Sequence, residues 1–218
     1  MAETAETSTL SRAVGALEGS PVVRGIPMAE RASLMKSLGA SVRRFAARTW
    51  IRRMDDSLDF YPVVVTGKVQ ASLPQKGQER IVAQFGSGDS FAEAVPASIK
   101  RCPVDILAVE ETSLLCIPAA ALLKSENAWA SVLQGNLMQG MSDKVMVLRQ
   151  ALSVLSEPRL SDRILAHLAT LPRNADGSVT VPYGRSDWAS CLRVAEKSLI
   201  RELKAMQDKG RIRIDGRN

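Results

Sequence analysis

The chain has 218 residues, enough for one large domain or two small ones, and its 45% hydrophobic and 24% charged content is the balance of a soluble globular protein. No apolar run approaches the ~18 residues that span a bilayer, and the first residues carry acids where a signal peptide needs bases, so the sequence reads as cytoplasmic, with no membrane partner. The net charge of +6 is uneven: from Ser156 onward twelve basic residues stand against eight acidic ones, which puts most of the surplus on under a third of the chain and suits a polyanionic partner.

Residues 1–25 read as a flexible N-terminal segment, small and polar over the first nine positions. A short helix is predicted from Pro27 to Leu38, with proline in the first turn and Gly39 just past the end. From about 42 to 118 the pattern shortens to candidate strands: 49–53, 61–67, 68–74, 80–85, 105–111 and 113–118. In "KVQASLP" Val69, Ala71 and Leu73 alternate with Lys68, Gln70 and Ser72, and "PQKGQ" (74–78) has the residues of a hairpin loop. Strands at roughly ten-residue spacing predict an antiparallel sandwich or small barrel over 26–124.

Ser125 can cap a helix running to about Leu155, some 45 Å long. Within it Met138, Met141, Val145, Leu148, Leu152 and Leu155 step by 3, 4, 3, 4 and 3, a heptad seam. Such a stripe can pack on its own domain. The length favours a partner chain, and a parallel homodimer is the simplest one. Pro158 ends this helix and a further one follows from Arg159 to about Leu171, then a loop (171–178) and a short strand (179–182).

The stretch 186–212, "SDWASCLRVAEKSLIRELKAMQDKGRI", is ambiguous by periodicity. Trp188, Leu192, Ala195, Leu199, Leu203 and Met206 recur as on one continuous helix, and only Val194 is out of step. Its context, between strand candidates at 179–182 and 211–215, favours two helices meeting near Val194.

Catalytic and metal chemistry find little support. Cys102, Cys116 and Cys191 are far apart, no CxxC pair exists and His167 is the sole histidine, an inventory that argues against a metal, iron–sulfur or haem ligand set. No nucleophile–base pair with a supporting residue stands out, and His167 lies between apolar residues, so the reading is not an enzyme.

In order and spacing, "VVVTGKVQ" (63–70), "FGSGDSFAEA" (85–94), the long helix and "GRSDWASCLRVAEKSLIRELKAMQDKGRI" (184–212) resemble the Crp/Fnr family of bacterial transcription regulators, from about Val42 to Ile214. The resemblance implies an α+β fold: a jelly-roll-like antiparallel β-roll that senses an effector (26–124), a dimerisation helix (125–156) and a C-terminal winged helix-turn-helix (157–218). It implies a homodimer on double-stranded DNA with a palindromic operator, and RNA polymerase as a further candidate partner. The first helix of the pair would run from Asp187 to Leu192 with Ser186 as its cap, Ala189 at the helix contact and Arg193 in the turn. The second, Glu196 to Lys209, would enter the major groove. Glu196, Lys197, Ser198 and Arg201 would face bases, and Arg185, Lys204, Arg211 and Arg213 phosphates. The alternative for these cations is a solvated face with no partner.

The effector cassette is altered. Ala92-Glu93-Ala94 and Arg101-Cys102 stand where cyclic-nucleotide members have Gly-Glu-Leu and Arg-Ser or Arg-Thr, and "KRCPVD" (100–105) is closer to the branch that senses small organic molecules. Phe91, Glu93, Arg101, Gln139 and Ser142 are the candidate residues for an unidentified small-molecule effector. Arg101 can clamp an anion or pair with Glu93. Arg48 and Met54 replace glycines common in the family's turns, and the alternative reading is an effector-independent or protein-binding dimer that has lost the family's ligand response.

Overall fold

The computed structural model describes residues 2–75, 78–96 and 100–215, and it divides into two compact units, Met1–Ser142 and Asp143–Asn218. In the first unit the order is α1 (Ala2–Ala16), a 3-10 turn (Pro21–Val23), α2 (Met28–Ser37), β1 (Ser41–Phe45), β2 (Thr49–Arg52), β3 (Phe60–Thr66), β4 (Val69–Gln75), β5 (Gln78–Phe85), β6 (Asp105–Ala108), β7 (Thr112–Pro118) and α3 (Ala119–Lys124). Then comes α4 (Ala128–Ser156), and the unit boundary falls inside it. The second unit adds α5 (Leu160–Thr170), α6 (Arg185–Cys191) and α7 (Glu196–Asp208).

The strands form two antiparallel sheets in the orders β1-β7-β3 and β2-β6-β4-β5. Between them lies an aliphatic and aromatic core including Ile51, Leu58, Phe60, Val64, Val69, Phe91, Ile106, Ala108, Leu114 and Cys116. Alternation along β3 and β7 sends Tyr61, Val63, Val65, Leu115 and Ile117 to the opposite face, where they meet the helices. β3 is thus buried on both faces although it ends its sheet. Its free edge is covered by the segment 88–91: Val64 donates to the Asp89 carbonyl at 2.9 Å and Gly88 to the Val64 carbonyl at 2.8 Å. Pro62 is tolerated there because this strand ends the ladder.

The six strand candidates correspond to β2 through β7, and the helix at 27–38 to α2, with Gly39 at φ +66 directly after its C-cap. Lys76 and Gly77 of the expected hairpin loop lie outside the described residues, while Gln75 pairs with Gln78 across it. The elements not foreseen include β1 and α3, besides the N-terminal helix and turn described below. Ser125 closes α3, and the cap of α4 is Asn127, whose Oδ1 accepts from the Trp129 amide at 2.8 Å.

The expected flexible segment 1–25 is instead folded. Leu10, Ala13, Val14 and Leu17 recur at helical spacing and are buried against the first sheet and the helices. Burial of one such leucine or valine is worth about 1.5–3 kcal/mol. The turn that follows is tied down by polar contacts. Ser20 Oγ donates to the Gly88 carbonyl at 2.6 Å, and the Asn136 amide donates to the Val22 and Arg24 carbonyls at 2.9 and 2.7 Å.

In the second unit Val154, Ile164, Trp188, Ala189, Leu192, Leu199, Leu203 and Met206 make one core. The expected strands at 179–182 and 211–215 do not form a ladder among the described residues; only an isolated bridge joins Arg173 to Val179. Pro182 lacks a donor, and Val181, Ile212 and Ile214 are held by packing on the core instead of by pairing.

Candidate nucleic-acid interface and sensor site

The stretch 186–212 is two helices. Gly184 precedes α6 without a side-chain cap, so Ser186 lies inside the helix and is not its cap. Four residues separate α6 from α7. Arg193 takes φ +54, the left-handed conformation that turns the chain, and Val194 folds back to donate to the Ala189 carbonyl at 3.0 Å. Arg163 of α5 donates to the Leu192 carbonyl at 3.0 Å, placing a cation at the C-terminal end of α6. Ala189 is buried where α6 meets its neighbours, and Val194 is half-buried on the core.

α7 starts at Glu196 after Ala195, which offers no side-chain cap. Leu199, Leu203 and Met206 pack inward, so 3.6-residue periodicity turns Glu196, Lys197, Arg201 and Lys204 outward, with Ser198 half-buried at the margin. Lys197, Arg201 and Lys204 have no hydrogen-bond or ion-pair partner among the described residues. Arg211 pairs with Asp162 at 3.4 Å and Arg213 with Asp215 at 3.2 Å, both exposed. Arg185, Arg211 and Arg213 line a cavity of about 680 Å³ with Arg173, Tyr183 and Trp188. Sequence reasoning missed Arg163. Its position seven residues past Ser156 gave no signal, since its acceptor is a backbone carbonyl twenty-nine residues away.

His167 has its ring 6.1 Å from those of Tyr183 and Trp188, and burial pushes its pKa below the ordinary value. Its Nδ1 and the Trp188 Nε1 are buried without a hydrogen-bond partner among the described residues. Cys102 and Cys116 are buried and burial raises both thiols, Cys116 to about 11, so neither is a nucleophile near neutral pH. Cys191 is exposed.

The candidate effector residues sit in different surroundings. Phe91 is a core side chain stacked on Phe85 at 5.3 Å. Glu93 is buried and accepts from Ser90 Oγ at 2.5 Å. Arg101 is exposed, and its guanidinium donates to the Asp55 carbonyl at 2.9 Å instead of pairing with Glu93. Gln139 and Ser142 are exposed on α4, with Ser142 Oγ turned back to the Met138 carbonyl at 3.0 Å. Ala92, at the cassette's glycine position, is forced to φ +54, and Arg48 likewise to φ +60. At Met54 the strain falls one residue later, on Asp55 at φ +68. A cyclic nucleotide needs its carboxylate and guanidinium on one ligand; here one is buried and satisfied and the other is at the surface, so this donor set does not fit that group.

Along α4, Met138, Val145, Leu148 and Leu152 are each more than half exposed, as are Met146 and Val147. Met141 is exposed at 36%. Leu155 is half-buried, and its neighbour Val154 faces the second core.

A helix-covered antiparallel sandwich, a long helix and a compact helical unit define an architecture shared with several solved regulators. Residues 42–125, which hold the sandwich, match the family model of the cyclic nucleotide-binding domain. The chain has the fold of the Thermus thermophilus catabolite activator protein, at 20% identity and TM-score 0.55 over 90% of this chain and 91% of that one. It is also similar to the c-di-GMP-responsive global regulator CLP of Xanthomonas campestris, at 20% identity and TM-score 0.51 over 84% and 93%. The sensor domain of the transcriptional regulator DNR from Pseudomonas aeruginosa matches at 16% identity and TM-score 0.50, over 67% and 95%. No curated protein matches the sequence. No helix of the described residues is long and apolar enough to cross a membrane.

Proposed function

We propose that this chain is a homodimeric, sequence-specific DNA-binding transcription regulator of the Crp/Fnr type, acting in the cytoplasm, in which α6 and α7 form the helix-turn-helix. The observation that carries this reading is α7 itself. Its apolar face is fully used by the core, and its opposite face presents three unpaired cations, Lys197, Arg201 and Lys204. Structural neighbours named as a catabolite activator and a global regulator support it. Arg201 is the base reader, able to give two hydrogen bonds to guanine O6 and N7, and Lys204 a phosphate contact. The exposed apolar seam of α4 is the contact with a second copy, which requires an operator with two-fold symmetry and half-sites about 34–36 Å apart.

The test is selection of bound duplexes from a random pool, followed by affinity measurements on the selected operator. Arg201→Ala should cost about 1–3 kcal/mol on the operator and relax one base position, while Lys204→Ala should weaken all duplexes alike. Failure to enrich any sequence, or an Arg201→Ala variant that binds as wild type, overturns the reading.

The sensor domain has a second reading with its own support. The satisfied Glu93 and the surface position of Arg101 favour a β-roll that takes no cyclic nucleotide. Either a different small molecule acts beside α4, or DNA binding is independent of any effector. Calorimetric titration with cyclic AMP should show no heat of binding.

A further inference from the structure

We infer that the second unit holds a small-molecule site of its own, a cavity that takes an aromatic carboxylate and couples its binding to release of DNA; the coupling rests on the DNA-binding reading above. The cavity, about 680 Å³, is lined by residues of this unit alone, from α5, α6, α7 and the segments 176–183 and 211–215. Its volume falls within the range of small-ligand pockets, about 300–1,000 Å³. Every residue of the candidate effector cassette belongs to the first unit instead. The origin of the cavity is local. The segments 179–182 and 211–215 form no ladder among the described residues, so the stretches carrying Val181, Ile212 and Ile214 line an opening in place of a paired wing.

Two observations point to the chemistry of the ligand. Trp188 lines the cavity and is 5% exposed, and its indole N–H has no hydrogen-bond partner among the described residues. An indole nitrogen only donates, so the missing partner is an acceptor, and a buried donor left unpaired is costly. The second observation is charge. Arg173, Arg185, Arg211 and Arg213 line the cavity against two carboxylates, Asp176 and Asp215. Asp176 already accepts from the Ser178 amide at 2.9 Å, Asp215 pairs with Arg213, and Arg211 pairs with Asp162. The guanidinium groups of Arg173 and Arg185 have no hydrogen-bond or ion-pair partner among the described residues. They are the free forks for a carboxylate.

The rest of the wall sets the body of the ligand. Leu165, Leu168, Val181, Ile212 and Ile214 supply apolar surface. Tyr183 and Trp188 supply two rings, each 6.1 Å from the ring of His167. A flat aromatic body packs against such a wall by ring contacts, and its carboxylate meets the arginines. Arg185 is also a phosphate contact in the proposed DNA-bound form. One guanidinium cannot serve both anions fully, so each ligand lowers the affinity for the other by the same factor.

The experiment uses the full-length protein and cinnamate as the probe. Proton–nitrogen NMR reads the indole N–H groups of Trp50, Trp129 and Trp188 separately, assigned with Trp50→Phe and Trp129→Phe. Cinnamate should move the Trp188 signal with a Kd of about 0.1 mM, while acetate and the neutral cinnamyl alcohol should each bind about tenfold more weakly or less. Arg173→Gln should lose about tenfold in Kd for cinnamate, and Arg173→Lys should recover part of it. Neither variant should change operator affinity in the absence of the probe. Saturating cinnamate should weaken wild-type operator binding about tenfold, and operator DNA should weaken cinnamate by the same factor. No Trp188 shift up to about 1 mM, a shift that Arg173→Gln leaves unaltered, or shifts confined to Trp50 and Trp129 overturns the site. Binding at Trp188 that leaves operator affinity unchanged overturns the coupling. A protein that selects no operator yet binds cinnamate through Arg173 keeps the site and overturns the DNA-binding reading. Tighter binding of decanoate than of cinnamate assigns the cavity to an alkyl chain and overturns the aromatic class.

Discussion

Gly67 shows how little freedom the β-roll leaves at single positions. It turns the chain from β3 to β4 at φ +88, and a Cβ there would meet the Glu111 carbonyl and come within 2.6 Å of Thr112 Oγ1 and 2.8 Å of Thr112 Cα. Both the conformation and the space exclude a side chain, so Gly67→Ala should cost more than about 2 kcal/mol, measured by urea unfolding. His167 makes a different kind of prediction. Burial lowers its pKa, so between the ordinary value near 6.5 and its folded value the unfolded chain binds more protons than the native one. Its contribution is full above that window and is lost as pH falls through it. Wild type should therefore lose more melting temperature from pH 7.5 to 5.5 than His167→Gln does. Because it is the chain's sole histidine, proton NMR reads its titration directly.

Elements were legible where one periodicity ruled and opaque where tertiary contacts decided. Alternation and turn residues located β2 through β7, and the apolar steps along α4 gave both its length and its face. β1 escaped because its exposed Arg43 and Arg44 interrupt the alternation around Val42 and Phe45. α1 escaped because its first half is small and polar; what orders the segment after it, the Asn136 amide and the Gly88 carbonyl, lies 68 to 114 residues away. The turn between α6 and α7 has no glycine or proline to announce it, and the chain accepts Arg193 in the left-handed region instead. The α7 face was readable because a core stripe fixes its complement. The sensor cassette was not: side-chain identity could place Glu93 and Arg101 in a motif, but only the fold shows the one buried on Ser90 and the other at the surface.

At the scale of the molecule, the proposed function depends on two copies reading one operator. Leu148 is 61% exposed on α4 and contributes little to its own subunit, so Leu148→Glu should leave the monomer's fold intact while placing two carboxylates against each other in the seam. Sedimentation should then show a monomer where wild type is a dimer. The DNA consequence follows from linkage of two sites: joined recognition helices gain an effective concentration that raises avidity by about 10²–10⁴ over a single helix. The variant should lose affinity by that order on the palindrome, yet bind an isolated half-site as wild type does, since α7 and its cations are untouched. A variant that stays dimeric would remove α4 as the interface. A monomeric variant that still binds the palindrome at full strength would show that each subunit reads DNA alone, and the two-fold operator would lose its physical basis.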